Sequence, residues 1–299
     1  MTPLGAESGF ASRLFRVEIE TGREPAQVVC KLASGEAAVR EAAFYREVGN
    51  EAGIRVPRCY HIEEDRRSGT ACLVLEDLDE ARFVDAFAGC SPVETQQVVD
   101  ALAGLHAFWW RPGGRLPWAP SFPVDHAIDR LPARWTSFLD RHGDAVPPDV
   151  RAATDLVTDR HRALLQPLSE PLTLLHTDLH LDNIAFDGEE VVLFDWQRAC
   201  LGHPAADLAQ FLVGSLSVAR RQQAETQLLG RYHERFMTGA NGLTRASLDQ
   251  AYRTAVLRWW LGTVNGLGRE DAGGLGGREL RLARTGVERW SAAVQDHLL

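Results

Sequence analysis

The chain opens in a strand rhythm and then turns helical. Leu14, Val17 and Ile19 supply β-formers between Phe10 and Ile19, which reads as two strand segments around a tight connection, and Gly22 marks a turn. Val28-Val29-Cys30-Lys31-Leu32 is a short apolar strand carrying one lysine. From Glu36 to Val48 the period lengthens: Ala37, Ala38, Ala42 and Ala43 favour helix, and Phe44, Tyr45 and Val48 form an apolar face. Leu73-Val74-Leu75 returns to strand and ends in Glu76-Asp77.

Helices dominate the rest. Ser91-Pro92-Val93-Glu94 starts one, with Ser as cap, Pro in the first turn and Glu to close a capping box. Val98, Leu102, Leu105 and Trp109 follow at steps of four, three and four, a single helical face. His106 on that helix reads as a satisfied core or interface residue. Arg111 to Pro123 is rich in Pro and Gly and reads as a loop, followed by helices over Ile128 to His142 and Pro148 to Leu165. Strands are expected at Leu172 to Leu175 and Val191 to Phe194, and a helix after Gly202. Ala219 to Leu299 reads as helical, interrupted at Gly266 to Gly277, with Leu280, Ala283, Val287, Trp290 and Val294 as the apolar face of the last helix. The pattern predicts an α+β protein in three parts: a small β-rich lobe over 1–75 with one helix, a hinge over 76–82, and a larger, mostly helical lobe over 83–299.

Composition adds exclusions. A chain of 299 residues, 45% hydrophobic and 24% charged, is long enough for one large core or two lobes. A net charge of −9 gives nucleic-acid binding little electrostatic support. Cys30, Cys59, Cys72, Cys90 and Cys200 are scattered without a C-x-x-C pair, which indicates neither zinc nor a disulfide framework. They read as small buried residues of a reducing compartment. With no signal peptide and no apolar run of membrane-spanning length, the expectation is a cytoplasmic protein that does not insert into membranes.

The chemistry concentrates in His176-Thr177-Asp178-Leu179-His180-Leu181-Asp182-Asn183 and in Asp195, at the exit of the run Val191 to Phe194. Asp178 and Asn183 lie five apart on one short segment, and Asp195 follows Asn183 by twelve. Phosphoryl transfer from a nucleotide needs one group to position the acceptor hydroxyl and others to hold cations on the phosphates. Asp178 suits the first task, and Asn183 and Asp195 suit magnesium, which takes hard oxygen ligands. His176 braces the loop by hydrogen bonds in this reading, and His180 is a candidate for the same work. A plain strand-loop-strand hairpin is the bland alternative, but a turn needs no defined Asn and Asp partners.

These residues resemble the catalytic loop and metal-binding Asp of the aminoglycoside phosphotransferase and choline kinase family, small-molecule kinases with a bilobal protein-kinase-like fold. Leu102-Ala103-Gly104-Leu105-His106-Ala107-Phe108-Trp109, Arg40-Glu41-Ala42-Ala43-Phe44-Tyr45-Arg46-Glu47 and Val56-Pro57-Arg58-Cys59-Tyr60 are similar to the ecdysteroid-kinase-like (CHK-like) branch. The resemblance covers nearly the whole chain. It implies that Lys31 contacts the nucleotide phosphates, where the strand alone would also allow a packed, snorkelling lysine. It implies Glu41 as the partner of Lys31, with Glu47 on a solvated face. The hinge backbone would meet the adenine edge, with Glu76 and Leu78 nearby. Asp207 matches a family Asp that supports the catalytic loop; its plain reading is a first-turn Asp favoured by the helix dipole.

The roof over the phosphates is looser than a G-x-G-x-x-G turn: Gly5-Ala6-Glu7-Ser8-Gly9-Phe10 offers Gly5 and Gly9. Ser8 is a candidate donor to a phosphate, with a simple turn as the other reading. The chain starts close to this point, so either the family's N-terminal extension is short here or the native start lies upstream. ATP and Mg2+ are the expected cofactors, with GTP not distinguished from ATP.

Thr177 stands where many protein kinases carry Arg, and Trp196-Gln197 follows Asp195 without a later A-P-E, which argues against a phosphorylation-switched protein kinase. That function and a catalytically silent nucleotide-binding module are the alternatives to a kinase for a small-molecule hydroxyl. Trp109, Trp110, Trp118, Phe122, Trp135, Trp259 and Trp260 read mostly as core, some as substrate lining. Asp125, Asp129, Asp140, Asp144 and Asp149 read as a solvated acidic face, with amine binding as the alternative. Aromatic content and branch resemblance favour an apolar alcohol, a natural product or sterol-like compound. An antibiotic, and with it antibiotic resistance, or an amino alcohol stays open, as do monomer and homodimer.

Overall fold

The computed structural model describes residues 2–4, 12–20, 26–65, 67–122, 130–164 and 172–298. Gly5, Ser8 and Gly9 of the expected phosphate roof lie outside the described residues, as do Asp125 and Asp129. Five antiparallel strands build the N-terminal sheet: β1 (Thr2–Leu4), β2 (Ser12–Ile19), β3 (Ala26–Ser34), β4 (Cys59–Asp65) and β5 (Thr70–Glu76), in the order β1-β2-β3-β5-β4. From Ser12 onward β2 is one unbroken strand, not two segments, because each of its residues pairs with one of β3. Lys31 pairs with Leu73 and Val29 with Leu75, so Lys31 shares a face with two buried leucines. Helix α1 (Glu36–Glu47) packs on the sheet and buries Ala38, Ala42, Phe44 and Tyr45; Glu41 is buried with them.

β5 leads to the two-residue strand β6 (Arg82–Phe83) and to α2 (Pro92–Phe108). The expected capping box is present, with Ser91 and Glu94 exchanging side-chain and backbone hydrogen bonds. Then come α3 (Leu131–His142), α4 (Pro148–Leu164) and β7 (Thr173–Leu175). Ile128, the expected start of α3, lies outside the described residues. A hairpin of β8 (Ile184–Asp187) and β9 (Glu190–Leu193) turns through Gly188 at φ 60°, a conformation that suits glycine. β6 adds to its edge, and β10 (Cys200–Gly202) pairs separately with β7.

Four helices complete the larger part: α5 (Ala205–Ser215), α6 (Val218–Gly239), α7 (Arg245–Leu267) and α8 (Gly277–Leu298). The helical stretch expected from Ala219 breaks once more than its pattern suggested, between Gly239 and Arg245. There Thr244 caps α7 by accepting the Ser247 N–H at 3.1 Å. α5 runs through the core with Leu208, Phe211 and Leu212 fully buried; α2 packs on α6, and α7 on α5 and α8. Val287, Trp290 and Val294 of α8 are buried as their spacing predicts, while Leu280 and Ala283 are half-buried. Among the described residues no helix is long and apolar enough to cross a membrane.

Candidate active site

Lys31 joins the two parts of the molecule. Its ammonium lies 2.7 Å from one Glu41 carboxylate oxygen and 2.9 Å from the other, and 2.9 Å from Asp195 Oδ1. β3 supplies the lysine, α1 the glutamate and the segment after β9 the aspartate. Lys31 is 4% exposed. Burial works against its charge, but the carboxylates of Glu41 and Asp195 outweigh it and hold its pKa above the ordinary value. Asp195 adopts a left-handed backbone at φ 65°, which turns the chain sharply out of β9. Trp196, next in sequence, is fully buried between two rings: it stacks on Phe44 of α1, centroids 4.1 Å apart, and meets His176 at 4.5 Å. The stack ties the helix that carries Glu41 to the loop that carries Asp178.

That loop is fixed from beneath by α5. Asp207, fully buried, accepts the N–H of His176 at 2.7 Å and of Thr177 at 2.8 Å. Gln210, one turn later, accepts the Leu179 N–H at 2.9 Å and donates to the Thr177 carbonyl at 3.2 Å. Thr177 sits at φ 59°, costly for a β-branched residue, and its hydroxyl donates to the Arg198 carbonyl at 2.8 Å. Its three polar groups are thus all bonded, which over-determines the strained turn.

His176 Nε2 donates to the Phe194 carbonyl at 2.9 Å, and its Nδ1 accepts the Asp178 N–H at 3.2 Å. The Nδ1 bond needs the neutral ring, and burial lowers the His176 pKa in the same sense. His106 lies in the core beneath, with Nδ1 2.8 Å from the Tyr232 hydroxyl and Nε2 3.4 Å from Asp207.

Asp178 opens toward solvent, its side chain 21% exposed. Burial raises its pKa, yet the nearby His180, then Arg198 and His176, outweigh that and leave it below the ordinary Asp value. It is a carboxylate at neutral pH. His180 Nε2 lies 3.7 Å from Asp178 Oδ2; although burial opposes it, this carboxylate raises the His180 pKa. Asn183 Nδ2 donates to the Asp178 carbonyl at 2.9 Å and lies 3.0 Å from His180 Nε2. This orientation, assigned from the bonding partners, commits the amide nitrogen and leaves its carbonyl oxygen as the ligand-type atom. Among the described residues no three His, Cys, Asp or Glu side chains form a metal cluster by themselves. One amide oxygen and the Asp195 carboxylate nonetheless suit a hard cation that takes its other ligands from water and phosphate.

Glu76 binds Arg55 through two oxygens at 2.6 and 2.9 Å and accepts the Arg58 N–H at 2.9 Å. Its side chain is therefore committed within the protein, and any contact with a base would use the main chain. Leu78 is half-buried, and its carbonyl accepts the Ala81 N–H at 3.0 Å. Trp109, Trp135 and Trp260 are buried core, Trp110, Trp118, Phe122 and Trp259 are half-buried, and Asp140, Asp144 and Asp149 are exposed. Gln210 escaped the sequence reading, although its spacing from Asp207 puts the two on one helical face. Arg55, and Arg278 with its bond to Asp182, had no local signal at all.

The model of the phosphotransferase enzyme family matches residues 4–264. The chain belongs to that family. Among curated proteins, none matches it. Solved structures share the fold at low identity. A choline/ethanolamine kinase family protein from Mesorhizobium loti is 17% identical, with TM-score 0.57 over 96% of this chain and 86% of the other. A thermostable mutant of aminoglycoside phosphotransferase APH(4)-Ia, in ternary complex with ADP and hygromycin B, is 17% identical, with TM-score 0.58 over 100% and 94%. An ethanolamine kinase from Plasmodium vivax is 13% identical, with TM-score 0.57 over 95% and 80%. The N-terminal antiparallel sheet with one helix and the larger helical part are thus the fold of small-molecule kinases.

Proposed function

We propose that this phosphotransferase is an ATP- and magnesium-dependent kinase for a hydroxyl group of a small molecule. The observation that carries the reading is the bridge from Lys31 to Glu41 and Asp195, tied to the loop bearing Asp178 and Asn183 by the Phe194 N–H, which donates to the Asn183 carbonyl at 3.3 Å. Lys31, held charged by its two carboxylates, meets the nucleotide phosphates. Asp178 accepts a hydrogen bond from the acceptor hydroxyl and orients it for in-line attack. Its lowered pKa makes it a weak base, which suits a loose transition state that asks little of the nucleophile until late, when the proton passes to the carboxylate. Asn183 and Asp195 would hold Mg2+, which neutralises phosphate charge when bound. The hinge backbone from Glu76 to Leu78 meets the base, and Asp207 and His176 support the loop. Ser8 and Gly9 remain candidates for the phosphate roof.

The ADP and hygromycin B bound by the APH(4)-Ia structure support a nucleotide and a hydroxylated small molecule as the ligand classes here. The half-buried Phe122 and Trp259, which pack together where the Trp259 N–H donates to the Ala206 carbonyl next to Asp207, favour an acceptor with apolar surface, such as a natural product or sterol-like alcohol. Antibiotics and amino alcohols belong in the same test. ADP release is measured with Mg-ATP over aminoglycosides, macrolides, nucleosides, choline-like amino alcohols and sterols, with Asp178→Asn as the control. One acceptor class should turn over, and the control should lower kcat roughly 10²–10⁴-fold with ATP binding retained. Unchanged turnover in Asp178→Asn would sink the assignment.

A further inference from the structure

The small sheet β6-β8-β9 has two unlike faces. Ile184, Phe186, Val191 and Leu193 belong to the main core. Ala81, Ala185 and Val192 form a separate cluster, with Leu78 and Phe194 packed on it. Register places Phe83 opposite Ala185, and Ala185 opposite Val192, so Phe83 shares that second face. The small alanines leave room for rings above them. Phe83 and Phe194 fill it edge to face, centroids 6.1 Å apart at 78°. Yet Phe83 stays 51% exposed.

Its location gives that exposure a meaning. Phe194 immediately precedes Asp195, the partner of Lys31, and Leu78 belongs to the segment that follows β5. The exposed ring therefore lies between the charged end of the candidate site and the link joining the two parts of the molecule. Three of the four acidic side chains on that link are matched, Glu76 by Arg55, and Asp77 and Asp79 by Arg16 at 2.5 and 2.6 Å, while Glu80 is exposed to solvent. What they leave to a flat ligand is apolar surface.

We propose that Phe83, backed by Phe194 and Leu78, is a stacking platform for the purine ring of the nucleotide. The proposal rests on the nucleotide-binding reading above and adds the side chain that selects the base. Stacking uses the face of a base and not its edge, so it grades ligands by ring area: a two-ring purine covers the platform better than a one-ring pyrimidine. Because the Phe83 ring is half in water, its truncation leaves the fold in place.

The test is calorimetric binding to the full chain with Mg2+, using ATP, CTP and inorganic tripolyphosphate against wild type, Phe83→Ala and Phe83→Tyr. Wild type should prefer ATP to CTP. Phe83→Ala should lose roughly ten- to hundredfold in ATP affinity and most of the preference over CTP, keep its tripolyphosphate affinity, and be rescued by Phe83→Tyr. Unchanged ATP affinity in Phe83→Ala overturns the platform alone, and so does a parallel fall for tripolyphosphate, which contains no base. A raised acceptor KM at constant ATP affinity would give the ring to the acceptor and also overturn it. A wild-type chain that binds no ATP overturns the nucleotide reading as well, so the two failures are distinguishable.

Discussion

The loop from His176 to Asn183 is held from two sides by opposite means. On the inner side Asp207 and Gln210 of α5 bind its backbone at 2.7 to 3.2 Å in the core. On the outer side Asp182 meets Arg278, at the start of α8, at 2.8 and 3.0 Å, and both side chains are about half exposed. Bond lengths do not separate the two. Burial does: a buried N–H that loses its acceptor has no water to turn to, whereas an exposed ion pair exchanges one set of polar partners for another. Rigidity therefore belongs to the core side of the loop. The face that carries Asp178 and His180 keeps its local bonds from His176 and Asn183, and beyond the loop itself it gains from α8 only a solvated ion pair.

The contrast breaks most easily at Asp207. Asp207→Ala orphans the N–H groups of His176 and Thr177 together, at about 1–3 kcal/mol each, so a loss of roughly 2–6 kcal/mol is expected. Thr177 would also lose a bond that holds its positive φ. Urea unfolding measures the change. A loss under about 1 kcal/mol would show that burial is not what fixes the inner side.

A pH titration sharpens the same point. His203 lies just before α5, buried, its Nδ1 accepting the Ala205 N–H at 3.2 Å. Burial, with His106 adding repulsion, lowers its pKa to about 4. The unfolded chain takes up this proton near pH 6.5, while the folded chain resists it until about pH 4. Stability is therefore unaffected by His203 above about pH 6.5 and falls as pH drops from there to about 4, by at most about 3 kcal/mol. His176, also lowered by burial, acts in the same direction. His203→Asn keeps an acceptor for Ala205 but has no proton to gain, so its stability should fall less steeply across that window. Identical slopes for variant and wild type would remove His203 from the account.

How much of this was legible in sequence follows from how local each signal is. Fold class showed because apolar period changes over many residues, from the strands around Lys31 to the helical faces of α2 and α8. The segment from His176 to Asp195 showed because the chemistry asks for fixed residue types at short spacing. The pairing of Lys31 with Glu41 needed the resemblance, and the contact of Lys31 with Asp195, 164 positions away, went unread. Strand β8 went unread because Ile184-Ala185-Phe186 is only three apolar residues, although Asp187-Gly188 marks its turn. Arg278 and Asp182, 96 positions apart, left no trace in either neighbourhood. Phe83 looked like nothing in sequence, and only the register of β6 on β8 sets it beside Phe194.

Arg278→Ala is the smallest of these perturbations and closes the comparison from the other side. An exposed ion pair contributes about 0–1 kcal/mol, and salt weakens it further because the Debye length shrinks to about 3 Å at 1 M. The variant should lose less than about 1 kcal/mol at low salt and match wild type at high salt, read from parallel urea unfolding curves. Turnover should then change little, because the inner bonds from Asp207 and Gln210 still define the backbone beneath Asp178. A loss of several kcal/mol, or one indifferent to salt, would mean that α8 holds the loop as firmly as α5 does. The division into a rigid inner side and a loosely held outer side would then be wrong, even with both sets of bonds in place.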